Sequence, residues 1–423
     1  MLKFCDMFQL VFKNFAIFFA NFIQVYIFCS KLFYLFLSFS AIIIKKRLKK
    51  SSKNNKFAVF IIACNEEKVI RFSIDSLKKM KYPKDCFSVY VVADQCTDKT
   101  VQIAKSMDVE VMEHLAQGGF QSKGRAMKWA TKKVLDLNKY DAICYFDADS
   151  LAHPDFLIEI NRHVNSGEKV IQGRQLSKNK QDGWLPKILA VGHLLSNIFF
   201  QSPKYALGFS GNLHGKGMCF LADTARKFHW DELCLTEDIE MQMRLIVNEV
   251  RITWSESAIV YDEEPVTLKQ YIKRTVRWTR GSLDVARKHL LGLFQVALFK
   301  RDIKAFEGAL YCSNVYRFSV AILMVFLIYY TRDSFNLIIW FYHGLPGAEF
   351  AIKILVFIPL ILYPLAVLIS EKAEFNILVA YFLQPVLGIF RIPVFIAGIF
   401  RTRDEWGITE HQSNVAIDDI VAR

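Results

Sequence analysis

A chain of 423 residues in which 53% are hydrophobic and 14% aromatic is more apolar than a soluble globular protein, so part of it belongs in lipid. The formal charge of +13 raises the question of nucleic acid. The cations cluster beside apolar spans and near an acidic candidate site, with no RNA-binding signature, so anionic lipid and a phosphorylated substrate are the expected partners and nucleic acid is not. Nine cysteines without a CxxC spacing argue against a zinc site or a disulfide framework and imply reduced thiols facing the cytosol.

From Asn14 to Ile44 the chain is almost continuously apolar and aromatic. Roughly 20 such residues cross a bilayer, so the stretch predicts one long tilted helix, with two packed spans as the alternative. No small-residue cleavage site of a secretory signal follows it. The block Lys45 to Lys56, KKRLKKSSKNNK, belongs on the cytoplasmic side and suits anionic headgroups, which puts the next domain in the cytosol.

Phe57 to Ala63, FAVFIIA, reads as a buried strand, and Cys64-Asn65-Glu66-Glu67 turns into a helix from about Lys68 to Lys79. A second strand, Phe87 to Ala93, ends at Asp94 and leads through Gln95-Cys96-Thr97-Asp98 to a helix from Lys99 to Met107. Strands alternating with helices imply a doubly wound parallel sheet. The absence of GxGxxG and GxxxxGK[ST] argues against a dinucleotide enzyme and a P-loop ATPase. The run Ala142 to Phe146 then stops at Asp147-Ala148-Asp149. Ligands collect outside the carboxyl ends of strands in open α/β sheets, and residues two apart on an extended segment point the same way. Asp147 and Asp149 are therefore expected to face one cation together, Mg²⁺ or Mn²⁺ by their oxygen ligands.

Gly208 to Phe220, GFSGNLHGKGMCF, has glycines that permit tight turns and a close approach to a ligand. Leu235-Thr236-Glu237-Asp238 opens a helix with Thr236 as N-cap and Ile239, Met243 and Ile246 as its apolar stripe; local physics does not separate a capping acid from a catalytic base here. A short strand, Ala258 to Val260, precedes Tyr261-Asp262-Glu263-Glu264-Pro265, to which no chemistry is assigned. Thr267 to Gly281 predicts a helix with Gln270, Arg274 and Arg277 on one cationic face. Basic residues alternate with apolar ones from Ser282 to Glu307, as in a helix lying at headgroups. Two spans are expected at about Tyr311 to Tyr330 and Ile352 to Ser370, with Asn336 to His343 between them too short to cross. Arg317 should face protein, snorkel or pair. Phe375 to Phe400, containing Pro385, Arg391 and Pro393, reads as interfacial or re-entrant and returns the tail to the cytosol.

The successive segments ACNEE, VVADQCTD, SKGRAMKWA and FDADS, in this order and spacing, resemble the signatures of membrane-bound family 2 glycosyltransferases with the GT-A fold, the group containing cellulose, chitin, hyaluronan and poly-N-acetylglucosamine synthases. The resemblance is strong over about residues 57 to 282 and weak in the tail. It implies an α/β GT-A, Rossmann-like, mixed and mainly parallel sheet flanked by helices, with N- and C-terminal transmembrane and interfacial helices. The implied boundaries are 1–56 for the first span and basic flank, 57–281 for the cytosolic transferase domain, 282–310 for interface helices, 311–400 for the C-terminal membrane region and 401–423 for a cytosolic tail.

By the same resemblance Asp94 contacts the nucleobase or ribose, and Lys123 lies near the nucleotide. Asp147 and Asp149 bind metal and the UDP diphosphate, Gly215 and Gly217 line the acceptor side, and Asp238 is the general base with Glu237 the weaker candidate. Arg277-Trp278 resembles the RW of QxxRW, where Arg meets pyrophosphate and Trp lies beneath the acceptor sugar. Arg274 stands at the position of the family's Gln, compatible with nucleotide binding but placing processive elongation in question. Gln95 stands where many relatives carry Asn, and Arg401 to His411 resembles a terminal W-x-x-x-x-H segment found near the active site.

The implied activity is an inverting, metal-dependent transfer from a UDP-sugar to a polysaccharide or glycolipid hydroxyl, by a multi-pass cell-membrane protein, possible export-complex subunits being further partners. The alternatives are single addition to a lipid and a catalytically silent glycan-binding subunit of an export system.

Overall fold

The computed structural model describes residues 2–43, 53–115, 122–370, 375–400 and 411–421. Eight strands, β1 (Phe57–Ala63), β2 (Phe87–Asp94), β3 (Glu110–His114), β4 (Ala142–Asp147), β5 (Leu151–Ala152), β6 (Val170–Ser177), β7 (Met218–Leu221) and β8 (Ile252–Asp262), form one sheet in the order β3-β2-β1-β4-β7-β6-β8-β5. β3, β2, β1 and β4 are mutually parallel; β7 reverses, β6 and β8 resume the first direction, and β5 closes the edge antiparallel to β8. The sheet is thus mixed and mainly parallel.

The unbroken apolar run of β1 has a direct cause. Phe57, Val59, Ile61 and Ala63 join the core on one face with Ile70, Ile74 and Phe146, while Ala58, Phe60 and Ile62 join that on the other with Met127, Ala130 and Tyr145. A strand covered on both sides cannot alternate with polar residues. The expected strand Ala258 to Val260 is the end of the much longer β8, whose Thr253, Ser255 and Glu256 interrupt the apolar pattern. β3, EVMEH, has too little apolar character to be read as a strand, yet pairs with β2 over its whole length.

The N-terminal helix is continuous over Leu2–Ile43, so the single-helix reading holds. It ties to the rest through Tyr26 and Ser313 (2.8 Å), Tyr34 and Glu307 (3.2 Å), and Ser38 donating to the Phe199 carbonyl (3.2 Å). The basic flank lies largely outside the described residues. Among the described residues four helices are long and apolar enough to cross a membrane: Met7–Ser40, Ile303–Tyr330, Ala348–Ile369 and Phe375–Phe400. The second is interrupted by a tight turn, Asn314–Tyr316, after which the Arg317 guanidinium lies 4.9 Å over the Phe318 ring. Leu337–Gly344 is a short helix capped by Asn336.

Two expectations change. The helix expected to end at Gly281 runs unbroken from Leu268 to Phe299, because Gly281 packs against Thr236 and does not stop it. Phe375–Phe400 is likewise one helix despite its two prolines. It lies along the sheet domain: Gln384 donates to the Ile188 carbonyl at 2.7 Å, Leu387 packs with Ile188 and Tyr271, and Arg280 reaches the Ile399 carbonyl at 3.4 Å.

Candidate active site

β4 delivers Asp147 at its carboxyl end, and a turn closed by the Ser150 amide on the Asp147 carbonyl (3.1 Å) places Asp149 beside it. Lys123 opens the helix Lys123–Asp136 opposite. Its ammonium meets Asp147 Oδ1 at 2.5 Å, Glu237 Oε1 at 3.3 Å and the Gly215 carbonyl at 2.9 Å. Burial alone would lower the pKa of Lys123, but Asp147 and Glu237 together raise it, so the amine stays charged. Gly215 sits at φ +75°, and a Cβ there would fall 3.2 Å from Lys123 Nζ and 3.5 Å from Asp238 Oδ2. Its missing side chain therefore leaves room where the lysine and the second acid come together. At Gly217 a Cβ would instead meet Val260 at 2.7 Å, so its openness serves β7–β8 packing and not the acceptor side expected for it.

The helix Glu237–Val247 starts where expected, with Met243 and Ile246 buried against Val285 and Leu293. Thr236 makes no side-chain cap; its hydroxyl faces Gly281 and Cys234 instead. Asp238 accepts the Ile239 amide at 2.8 Å. Burial, followed by the neighbouring Glu237, pushes the Asp238 carboxyl up to about 7, with Lys123 opposing. Such a carboxyl exchanges protons near neutrality, whereas an ordinary aspartate is a poor base.

On the other flank Asp149 is buried, its Oδ2 3.4 Å from His411 Nε2, while His411 Nδ1 lies 3.0 and 3.1 Å from the Glu66 oxygens. Burial pushes Asp149 up to about 6, with His411 opposing and Asp262 adding to the rise. For His411 burial lowers the pKa, but Asp149 and Glu66 outweigh it and bring it to about 9. Asp147 and Asp149 are oxygen donors at one strand end, the type that suits Mn²⁺ or Mg²⁺, and a cation beside Asp149 would favour the carboxylate that burial disfavours, while the charged His411 pairs with Asp149 from the other side. Trp406 of the terminal segment lies outside the described residues.

The acids at the end of β8, to which no chemistry was assigned from sequence, organise the site's cations. Asp262 holds Lys216 and accepts from Gln175 (2.9 Å); Glu263 holds Lys178 (2.9 Å), which also donates to the Asp149 carbonyl (2.8 Å); Glu264 holds Arg274 (2.6 Å) and His193. Three ligand-type groups, His193, Asp262 and Glu264, come within 4.8 Å of one another, but Lys216 and Arg274 already supply positive charge there.

Arg274, expected at the diphosphate, is buried in the Glu264 pair with its guanidinium 4.7 Å over the Trp278 ring, where it orients the tryptophan. Trp278 is 43% exposed. Gln270 closes a capping box with Thr267, so it is not part of a cationic face. Arg277 is the guanidinium in the field of Glu237, Asp147 and Asp238, which counter the lowering that burial imposes on it. Asp94, at the end of β2, is 3% exposed and paired with His114 Nδ1 at 2.8 Å. It lies one residue past the Ala93–Ala63 row, two strands from Asp147, or about 10 Å by strand spacing. Gln95 adopts φ +51°, the left-handed region that Asn enters more readily than most residues. The sequence reading missed His114, Lys178 and Lys216 as site residues; Lys216 alone left a signal, lying between two of the flagged glycines.

A mixed sheet with acids gathered at its strand ends and a candidate base on a facing helix defines a nucleotide-sugar-transferase class of site on a GT-A fold. Residues 54–281, just over half of the chain, match the family model described as Glycosyltransferase like family 2, and the chain belongs to that family. It is similar to a beta-monoglucosyldiacylglycerol synthase of Nostoc sp., 28% identical over 233 residues, covering 53% of this chain and 48% of the relative. It is also similar to the probable glycosyltransferase YdaM of Bacillus subtilis, 24% identical over 247 residues, 57% of this chain and 58% of the relative. The chain thus spans about half the length of these relatives. In fold it is similar to the mannosyltransferase PcManGT from Pyrobaculum calidifontis, solved in complex with GDP-Man and Mn²⁺, with a TM-score of 0.55 and 14% identity over 91% of this chain and 97% of that one.

Proposed function

We propose that this protein transfers one sugar from a UDP-sugar to a hydroxyl of a glycolipid acceptor at the membrane, with inversion at the anomeric carbon. The observation that carries the reading is the meeting of Asp238 and Lys123 at Gly215, with the same lysine bonded to Asp147 and Glu237. Asp238 takes the acceptor hydroxyl proton while that oxygen attacks the anomeric carbon, and the bond to the diphosphate oxygen breaks with its electron pair leaving on UDP. One displacement from the face opposite the leaving group inverts the centre.

Charge developing on the diphosphate is met by Lys123 and Arg277, fixed donors that need no rearrangement at the moment of reaction. Asp147 and Asp149 would hold a divalent cation, which supplies Lewis-acid stabilisation of the departing phosphate, and His411 orients Asp149. Asp94, steadied by His114, receives the nucleoside. Trp278, stacked on Arg274, offers an exposed ring to the acceptor.

A lipid acceptor is favoured by the similarity to beta-monoglucosyldiacylglycerol synthases and by the four apolar helices around the domain. The basic flank after the first helix supports a cytosolic catalytic domain in a multi-pass protein. Polymer synthesis is the second reading, drawn from the synthases that the motifs resemble. The test is UDP release by detergent-purified protein with Mn²⁺. Asp238→Asn should lower turnover by about 10² to 10⁴-fold with little change in KM for the donor. Full activity in that variant would remove Asp238 from the role.

A further inference from the structure

His411 reaches the site on a short segment that is held to the sheet domain by Glu263 beside the site and by the β5–β8 edge beyond it. Glu263 Oε1 accepts both the Gln412 amide (2.7 Å) and the Ser413 amide (3.1 Å), while its other oxygen faces Lys178 (2.9 Å). Lys178 in turn donates to the carbonyl of Asp149. Farther along, the helix Ile417–Val421 buries Ile417, 1% exposed, in a notch of Leu151 and Tyr261 on β5 and β8, with Ile420 packed beside it. Asp418 closes on Lys79 at 2.6 Å. His411, Gln412 and Ser413 also wall a cavity of about 200 Å³ whose other side includes Glu263, Glu264 and Gln270.

An apolar anchor, a carboxylate receiving two consecutive backbone amides and a surface ion pair are more than a loose terminus retains. All three fix one outcome, the approach of His411 to Asp149 and Glu66. We propose that residues 411–421 are a clasp, anchored by Ile417 and latched by Glu263, that seats His411 in the active site. Ile417 and Glu263 are then positioning residues for the transfer reaction, a role that rests on the transferase reading above. Groups that orient a metal-site ligand typically change affinity or activity by about 10- to 100-fold when removed.

Hydrogen exchange of the full chain in detergent, read by mass spectrometry beside UDP release with Mn²⁺, tests the clasp. Ile417→Ser should speed exchange across 411–421 at least about tenfold, leave β1 and β4 protected, and lower turnover by about 10- to 100-fold. His411→Ala should lower turnover as much without loosening the segment, and the double variant should be no slower than His411→Ala alone, because both remove one interaction. Glu263→Gln should resemble Ile417→Ser; where the uncompensated buried charge of Lys178 prevents folding, Ile417→Ser decides alone. The clasp is overturned if Ile417→Ser leaves exchange unchanged, if it frees the segment without slowing turnover, or if the two losses multiply. Absence of turnover in the unaltered protein with every UDP-sugar would refute the transferase reading, leaving the anchor itself to be judged by exchange.

Discussion

Replacing Glu237 by Gln removes one negative charge beside the candidate base while preserving its shape. Asp238 stands at about 7 against an ordinary 3.8, a difference worth roughly 4 kcal/mol in favour of the protonated acid at about 1.4 kcal/mol per unit. Burial is the largest cause and Glu237 the second, while Lys123 pulls the other way. Asp238 also retains partial exposure, so solvent screens part of the repulsion. Glu237, second to burial, is the part of that rise that a substitution can remove without opening the site. Losing Glu237 further turns Lys123 toward Asp147 and Asp238, which acts in the same direction. Since the base works as a carboxylate, kcat/KM should rise with pH through an acid limb near 7 in the unaltered protein, and Glu237→Gln should move that limb to lower pH. The assay is initial-rate UDP release between about pH 5 and 9, with the second limb as internal reference. A limb that stays in place or moves upward would refute the electrostatic account of Asp238.

Gly215→Ala puts a methyl carbon 3.2 Å from Lys123 Nζ at a backbone φ of +75°, so kcat should fall about tenfold or more and the strained backbone should cost about 1–3 kcal/mol of stability, as steady-state kinetics and a melt would show. The Lys204–Glu307 pair, 2.6 Å apart with both side chains 1% exposed, joins the short helix Ser202–Leu207 to the first residues of a candidate span. Lys204→Met alone should cost about 3–5 kcal/mol by stranding Glu307, and Lys204→Met with Glu307→Gln should recover much of it, measured by denaturation in detergent. Chelation should abolish UDP release and added Mn²⁺ should restore it, while Asp149→Asn should raise the Mn²⁺ concentration needed; activity indifferent to chelator would remove the cation from the scheme.

The parts of the fold written in unbroken apolar runs were legible in the sequence. β1, β2 and β4 are covered on both faces, so their residues carry an unambiguous pattern, and each ends at a residue the site uses or borders. β3 escaped because an edge strand with Glu110 and Glu113 exposed has no reason to be apolar, and with it went His114, the partner of Asp94. Asp262, Glu263 and Glu264 escaped for another reason. Three consecutive acids look like a solvated turn until the chain folds and brings Lys216, Lys178 and Arg274, from positions far apart in sequence, onto them. Arg274 and Gly217, assigned to the ligand by the resemblance, each have a nearer structural partner, Glu264 in one case and Val260 in the other. Proline content similarly broke a helix on paper that packing against Ile188, Tyr271 and Thr279 keeps whole.

Mass analysis of the product made by the purified chain from a panel of UDP-sugars, Mn²⁺ and diacylglycerol in mixed micelles tests the central claim most directly. The account predicts one nucleotide sugar consumed, one sugar added to the lipid with inverted configuration, and no product with Asp238→Asn. A polymer ladder would replace the lipid acceptor by a polysaccharide, and the absence of any glycosylated product would contradict the account.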